Sequence, residues 1–191
     1  MLKRLMLSAV PVVLCLVLSD LAPAASLPAS KDDVLPTINL TVPKNPDEKG
    51  YLGLSGSKLF KIPQIKAKVV IVEIFSMYCP ICQKDAPGIN EMYQAIENNP
   101  DLKTRIKLIG IGAGNSPYEV EVFKKRYQVP FPLFADGDFT IHKAIGEVRT
   151  PHFIAIKINE GRTHQVILSQ SGDFQGAEPF LELILKASGL N

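Results

Sequence analysis

Val69, Val70, Ile71, Val72, Ile74 and Phe75 make an almost unbroken apolar run, interrupted only by Glu73. A short run this rich in β-branched residues, without alternation, predicts a central strand covered on both faces. Beyond it, Ile89, Met92, Tyr93 and Ile96 recur at i, i+3, i+4 and i+7, which predicts a helix that starts after Cys79, kinks at Pro87 and ends at Pro100. Cys79-Pro80-Ile81-Cys82 falls at the junction of the two elements. Whatever else the chain does, it has to build a strand, a tight link and a helix around that pair.

The flanking segments extend the pattern. Residues 38–42 alternate weakly and predict an edge strand, residues 43–50 a charged turn-rich loop, and residues 51–62, with Gly53, Ser55 and Gly56, a small hairpin. Residues 106–111 predict a second buried strand. Ser116-Pro117-Tyr118-Glu119 is a capping box with proline at the first helical position. Its helix buries Val120 and Phe123 and ends in Lys124, Lys125 and Arg126, read as a solvated end that suits the negative pole of the dipole. A short strand over residues 131–134 and a short helix over residues 139–145 follow. Two strands, residues 153–158 and 165–169, flank the turn Asn159-Glu160-Gly161, and Phe180, Leu181, Ile184 and Leu185 give a last helix stopped at Gly189. This order predicts an α/β fold with a mainly parallel central sheet, an antiparallel edge and helices on both faces. No internal repeat interrupts it.

The amino-terminal segment reads differently. Lys3 and Arg4 precede an uncharged run over residues 5–19, Asp20 closes it, and Ala22-Pro23-Ala24 supplies a small-x-small cleavage pattern. Residues 1–24 are therefore expected to be a cleaved secretory signal, with residues 25–37 a flexible tail and residues 38–191 the folded domain. The alternative is a membrane anchor formed by residues 5–19, a run short of the ~20 residues a span needs. Leu14 before Cys15 excludes a lipid-attachment motif. The expected location is periplasmic or otherwise exported. Lys and Arg number 21 against 19 Asp and Glu, which leaves no basic excess for binding nucleic acid.

Removing the signal leaves two cysteines, Cys79 and Cys82. A disulfide closing so small a loop adds little stability, so a chemical role comes first. At a helix start, backbone N–H groups and the dipole favour the thiolate of Cys79, the species that attacks disulfides. Cys82, one turn deeper, is placed to resolve the mixed disulfide, and Pro80 suits an early helical position. A zinc half-site is the competing reading, but His142, His152 and His164 stand at no finger-like spacing. Glu73 is costly to bury, and burial would raise its pKa. It is expected to take the proton of Cys82, directly or through a water; a solvated carboxylate at a sheet edge is the bland alternative. Pro151 precedes a buried strand, where either a cis or a trans peptide fits.

From Ile38 onward these residues resemble the thioredoxin superfamily, and within it the exported TlpA/ResA-like thiol-disulfide oxidoreductases. Cys79-Pro80-Ile81-Cys82 matches the active-site motif, Glu73 the buried acid of the leading strand and Pro87 the kink of the active-site helix. Thr150-Pro151 matches the cis-proline loop that faces the disulfide and holds substrate backbone, and Asp85 the acid that several members carry after the second cysteine. The interval of 69 positions from Cys82 to Pro151 is similar to that of members with an extra central helix and strand, and an extra amino-terminal hairpin is implied. Tyr78 stands where the family often has Trp, while Phe75-Ser76 and Pro80 are closer to DsbA-type oxidases.

Three functions compete. The first is thiol-disulfide exchange with exported protein substrates, as reductant, because Pro80 and Ile81 offer no ionisable group to stabilise the Cys79 thiolate. It requires no cofactor and no resident metal, but it implies a membrane-bound electron donor. The second is a metallochaperone holding copper between Cys79, Cys82 and His152, a histidine otherwise read as a surface polar residue. The third is a peroxiredoxin-type peroxidase, for which Ser76 stands three residues before Cys79. Gly110-Ile111-Gly112-Ala113-Gly114 lacks the spacing of a dinucleotide loop and is read as a strand-end loop.

Overall fold

The computed structural model describes residues 30–172 and 174–190; the segment read as a signal lies outside them. An antiparallel ribbon of β1 (Asn39–Thr41) and β2 (Leu59–Lys61) comes first, with α1 (Pro46–Tyr51) between its strands. Then follow β3 (Val69–Phe75), α2 (Pro80–Asn98), β4 (Ile106–Ala113), α3 (Pro117–Arg126), β5 (Leu133–Asp136), α4 (Thr140–Ala144), β6 (His152–Ile158), β7 (His164–Ser171) and α5 (Ala177–Ser188). The main sheet has the order β5-β4-β3-β6-β7.

β3, β4 and β5 run parallel, whereas β6 is antiparallel to β3 and β7 to β6. The sheet is thus mixed, and its antiparallel edge is the two-stranded hairpin of β6 and β7 expected from sequence. The reversal at β6 follows from the length of α4. Its 5 residues rise only about 8 Å, whereas a parallel return would need to travel back along a strand of about 23 Å. β6 therefore starts at the end where β5 stops, which brings Thr150 and Pro151 beside the carboxyl end of β3.

Side-chain alternation along β3 divides the core. Val69, Ile71 and Phe75 pack with Cys82, Ile89 and Met92 of α2, Phe123 of α3 and Phe180 of α5. Val70, Val72 and Ile74 pack on the opposite face with Leu40, Phe60, Ile145 and Ile154. Helices lie on both faces but unequally: the three longer ones share the Cys82 face, while the ribbon, α1 and α4 cover the other. β5 begins later than expected because Pro130 and Pro132 have no N–H to donate, so the register starts at Leu133 opposite Gly110.

The largest departures lie before β3. The predicted loop over residues 43–50 contains α1, and the predicted hairpin partner of β2 is instead β1. Asn45 caps α1 by accepting from the Asp47 N–H at 2.8 Å, Pro46 occupies its first turn and Asp47 and Glu48 meet its positive pole. The described part of the expected flexible tail, residues 30–37, is fastened to β7. The Asp32 N–H donates to the Val166 carbonyl at 2.8 Å, the Val166 N–H donates to the Asp33 carbonyl at 2.9 Å, and Leu35 is buried. Lys124 is not a solvated helix end: its ammonium meets Glu48 of α1 at 2.5 Å and the Phe131 carbonyl at 2.6 Å.

Candidate active site

The strand-to-helix link is held from β4. The Met77 N–H donates to Oδ1 of the buried Asn115 at 2.8 Å, and the Cys79 N–H donates to the Ser76 carbonyl at 3.0 Å. Gln83 closes the link from inside α2, its amide donating to the Met77 carbonyl at 2.7 Å. Asn115 has a positioning part that sequence reasoning missed. The available signal was an amide side chain between the end of a buried strand and a capping box, where loop backbone lacks partners.

Cys79 is the N-cap of α2. Its Sγ accepts from the Cys82 N–H at 3.3 Å and, as a thiol, donates to the Thr150 carbonyl at 3.3 Å. Partial burial pushes the Cys79 pKa up, but hydrogen bonds from the Cys82 thiol, the Cys82 and Ile81 N–H groups and the Thr150 side chain outweigh it, so the thiol lies below its ordinary value. Cys82 is wholly buried beneath it. Burial first, then the hydrogen bond it donates to Cys79 and the charge of Glu73, push the Cys82 thiol well above the ordinary range. The two thiols are therefore unequal: an accessible one biased toward thiolate and a covered one that keeps its proton.

Glu73 lies on the α2 side of β3 at 2% exposure, and its Oε1 has no hydrogen-bond partner among the described residues. Burial, reinforced by the charges of Asp85 and Cys79, pushes its carboxyl up to about 8. Asp85 is also buried, but it is satisfied: Oδ2 accepts from the Phe174 N–H at 3.0 Å, fastening the loop between β7 and α5 onto α2. The Thr150-Pro151 peptide is cis, and Thr150 faces Cys79 across the link. The structure thus brings together Glu73, Cys79, Cys82, Thr150 and Pro151.

His152 does not join them. It pairs with Ile74 in register, on the face away from Cys82, and is 4% exposed rather than on the surface. Nδ1 lies 2.6 Å from Ser171 Oγ and Nε2 2.9 Å from Ser169 Oγ, so both ring nitrogens are occupied. Among the described residues no group of three His, Cys, Asp or Glu side chains is arranged to hold a metal ion. The Ser76 hydroxyl accepts from the Asn115 amide at 3.5 Å. Gly112 and Gly114 serve packing, since a Cβ on Gly112 would lie 3.1 Å from Asn115 and one on Gly114 2.3 Å from the Phe139 ring.

Residues 36–170 match the model of the AhpC/TSA family. The thiol-disulfide oxidoreductase ResA of Bacillus thuringiensis subsp. konkukian is 28% identical over 99 residues, 51% of this chain and 53% of that protein. ResA of Halalkalibacterium halodurans is 25% identical over 126 residues, 65% of this chain and 66% of that protein. The chain spans about half the length of the first of these relatives and just under two thirds of the second. Among solved structures, a thiol:disulfide interchange protein of the thioredoxin family from Chlorobium tepidum superposes with TM-score 0.58 at 17% identity, covering 84% of this chain and 99% of that one. StoA from Bacillus subtilis superposes with TM-score 0.51 at 23% identity, covering 66% and 89%. These likenesses show a thioredoxin-like fold.

Proposed function

The chain belongs to the AhpC/TSA family, and from that premise we propose that it is a thiol-disulfide oxidoreductase acting as reductant of exported protein disulfides. The carrying observation is the inequality of the two thiols: Cys79 half-exposed at the helix cap with Sγ accepting the Cys82 N–H, and Cys82 fully buried with its proton retained. The names of the ResA relatives support the reading.

In this mechanism the Cys79 thiolate attacks one sulfur of a client disulfide. A mixed disulfide forms and the first client sulfur leaves as thiolate. Thr150 and Pro151 hold the client backbone against the mixed disulfide. Glu73 then takes the proton of Cys82, whose thiolate attacks Cys79 Sγ, closes the Cys79–Cys82 disulfide and releases the second client sulfur. Two electrons pass from the protein to the client, and a membrane-bound donor restores the dithiol. Residues 1–24 direct export and are removed, and the alternative is that residues 5–19 remain as an anchor. Among the described residues no helix is long and apolar enough to cross a membrane.

Cys82→Ser should accumulate mixed disulfides with protein partners on non-reducing gels, and Cys79→Ser should not. Insulin reduction, copper retention after desalting and peroxide consumption on one sample separate the three competing functions. Full insulin reductase activity in Cys79→Ser would sink the assignment.

A further inference from the structure

α3 meets the cysteine link through its first turn. Asn115, directly before the Ser116 N-cap, is an amide with 0% exposure. Its Oδ1 accepts from the Met77 N–H at 2.8 Å, and its Nδ2 donates to the Ser76 hydroxyl at 3.5 Å. Glu119, in the same turn, accepts from the Tyr78 hydroxyl through Oε1. Its Oε2 accepts from the Ser116 N–H and hydroxyl, both at 2.7 Å, so the carboxylate that closes the capping box also reaches the link. Ser76, Met77 and Tyr78, the whole approach to Cys79, are therefore tied to the start of one helix.

The buried tie acts on the sulfur through a short chain of bonds. The Met77 N–H and the Ser76 carbonyl belong to the same planar peptide, so holding one aims the other. That carbonyl accepts from the Cys79 N–H at 3.0 Å. Cys79 is thereby placed as the N-cap of α2, with Sγ 3.3 Å from both the Cys82 nitrogen and the Thr150 carbonyl. The Ser76 N–H favours the thiolate of Cys82, so the second sulfur leans on the same segment. Asn115 is itself braced. Its own N–H donates to the Gly112 carbonyl at 3.1 Å, and Gly112 leaves room for its side chain, since a Cβ there would fall 3.1 Å from Asn115 Cβ and Oδ1.

We infer that Asn115 is a positioning residue of thiol-disulfide exchange: through the Ser76–Met77 peptide it seats Cys79 Sγ against its donors, and Glu119 reinforces that seat through Tyr78. The inference rests on the thiol-disulfide reading. Hydrogen bonds weaken steeply as distance and angle drift, and those that favour the Cys79 thiolate reach it at this seat. A link released from α3 therefore loses thiolate at Cys79 while the fold around it stays intact. Asn115 bonds to the link and not to the sulfurs, so it acts on the reaction through the backbone.

The test follows alkylation of Cys79 by iodoacetamide against pH in the reduced protein, located by peptide mass. It compares the parent with Asn115→Leu, Asn115→Ala, Tyr78→Phe and Lys124→Met. Lys124→Met weakens the fold at the other end of α3 and controls for stability, which urea melts record for every variant. Reduction of hydroxyethyl disulfide reports the redox competence of the parent. Both Asn115 variants should displace the profile to higher pH and slow alkylation on its acidic limb by about fivefold, the loss of one hydrogen bond. Tyr78→Phe should slow it by about twofold, the loss of a weaker, exposed bond. Lys124→Met should leave the profile in place. Hydrogen exchange in the Asn115 variants should quicken first at the Met77 and Cys79 amides. An unmoved profile in the Asn115 variants, or in Tyr78→Phe should neither of them fold, overturns the inference, and so does an equal displacement in Lys124→Met. In those cases reduction of hydroxyethyl disulfide by the parent leaves the redox reading standing. A parent that reduces no disulfide overturns that reading, and the inference with it.

Discussion

Glu73 carries the sharpest residue-scale consequence. A buried carboxyl pushed up to about 8 is mostly protonated at neutral pH and becomes a base only as pH rises. The step that resolves the mixed disulfide should therefore accelerate with an apparent pKa of about 8, and Glu73→Gln should slow it and flatten the profile. Stopped-flow release of a fluorescent client thiol reads this directly. The same group sets a stability trend. Its folded pKa lies above the unfolded value, so its contribution is complete below about 4.5 and is lost as pH climbs through about 8. Glu73→Gln should remove that loss, and on the alkaline side it should be more stable than the parent by on the order of a few kcal/mol. Urea melts at pH values on either side of that window decide it; parallel curves for the two proteins would show that Glu73 titrates normally. Glu73 was legible in the sequence because a carboxylate inside a β-branched run has few harmless explanations. Asn115 was not, because a single amide beside a strand end says nothing of which backbone it will satisfy.

At the scale of elements, the segments with strong period or strong caps were legible. The run of β3, the i, i+3, i+4 pattern of α2 and the capping box of α3 each appear where the residues place them. α1 was missed although its Asn45-Pro46-Asp47-Glu48 start is a helix signal, because it buries no residue and so leaves no periodicity to find. Its docking comes instead from Lys124, which bridges Glu48 and the Phe131 carbonyl and so ties α1 to α3 and to the segment entering β5. Both partners of the pair are only about a fifth exposed in their side chains, at 23% and 22%. Lys124→Met keeps the aliphatic stem but leaves a carboxylate and a carbonyl short of a partner, and should cost about 1–3 kcal/mol. A double-mutant cycle with Glu48→Gln measured by denaturant unfolding should show coupling between the two sites. Strictly additive losses would mean that the bridge contributes nothing to holding α1. The paired direction of β6 was equally invisible from the sequence of β6 itself, since it follows from how short α4 is rather than from any residue in the strand.

At the scale of the whole molecule, the groups the sheet places around the thiols bear on the proposed direction of electron flow. Stabilising the Cys79 thiolate makes the dithiol form more stable and the protein more oxidising. Here that stabilisation comes from hydrogen bonds of the Cys82 thiol, the Cys82 N–H, Thr150 and the Ile81 N–H. Among the described residues no Lys, Arg or His is hydrogen-bonded to either sulfur. His152, the cationic candidate nearest in sequence to Pro151, faces the other side of the sheet, and burial holds its pKa below the ordinary value. On the thiol side stand the carboxyl groups of Glu73 and Asp85, and burial reinforced by the Asp85 charge keeps Glu73 mostly protonated at neutral pH. Held by hydrogen bonds alone, the lowered Cys79 thiol should leave the potential more reducing than about −180 mV. Under the role proposed above, the protein would give electrons in an oxidising compartment and would need a membrane-bound donor to restore its dithiol. Equilibration with glutathione buffers, read by thiol alkylation and mass, fixes the potential. A value near about −120 mV would make the protein an oxidant and reverse the direction assigned to the Cys79–Cys82 couple.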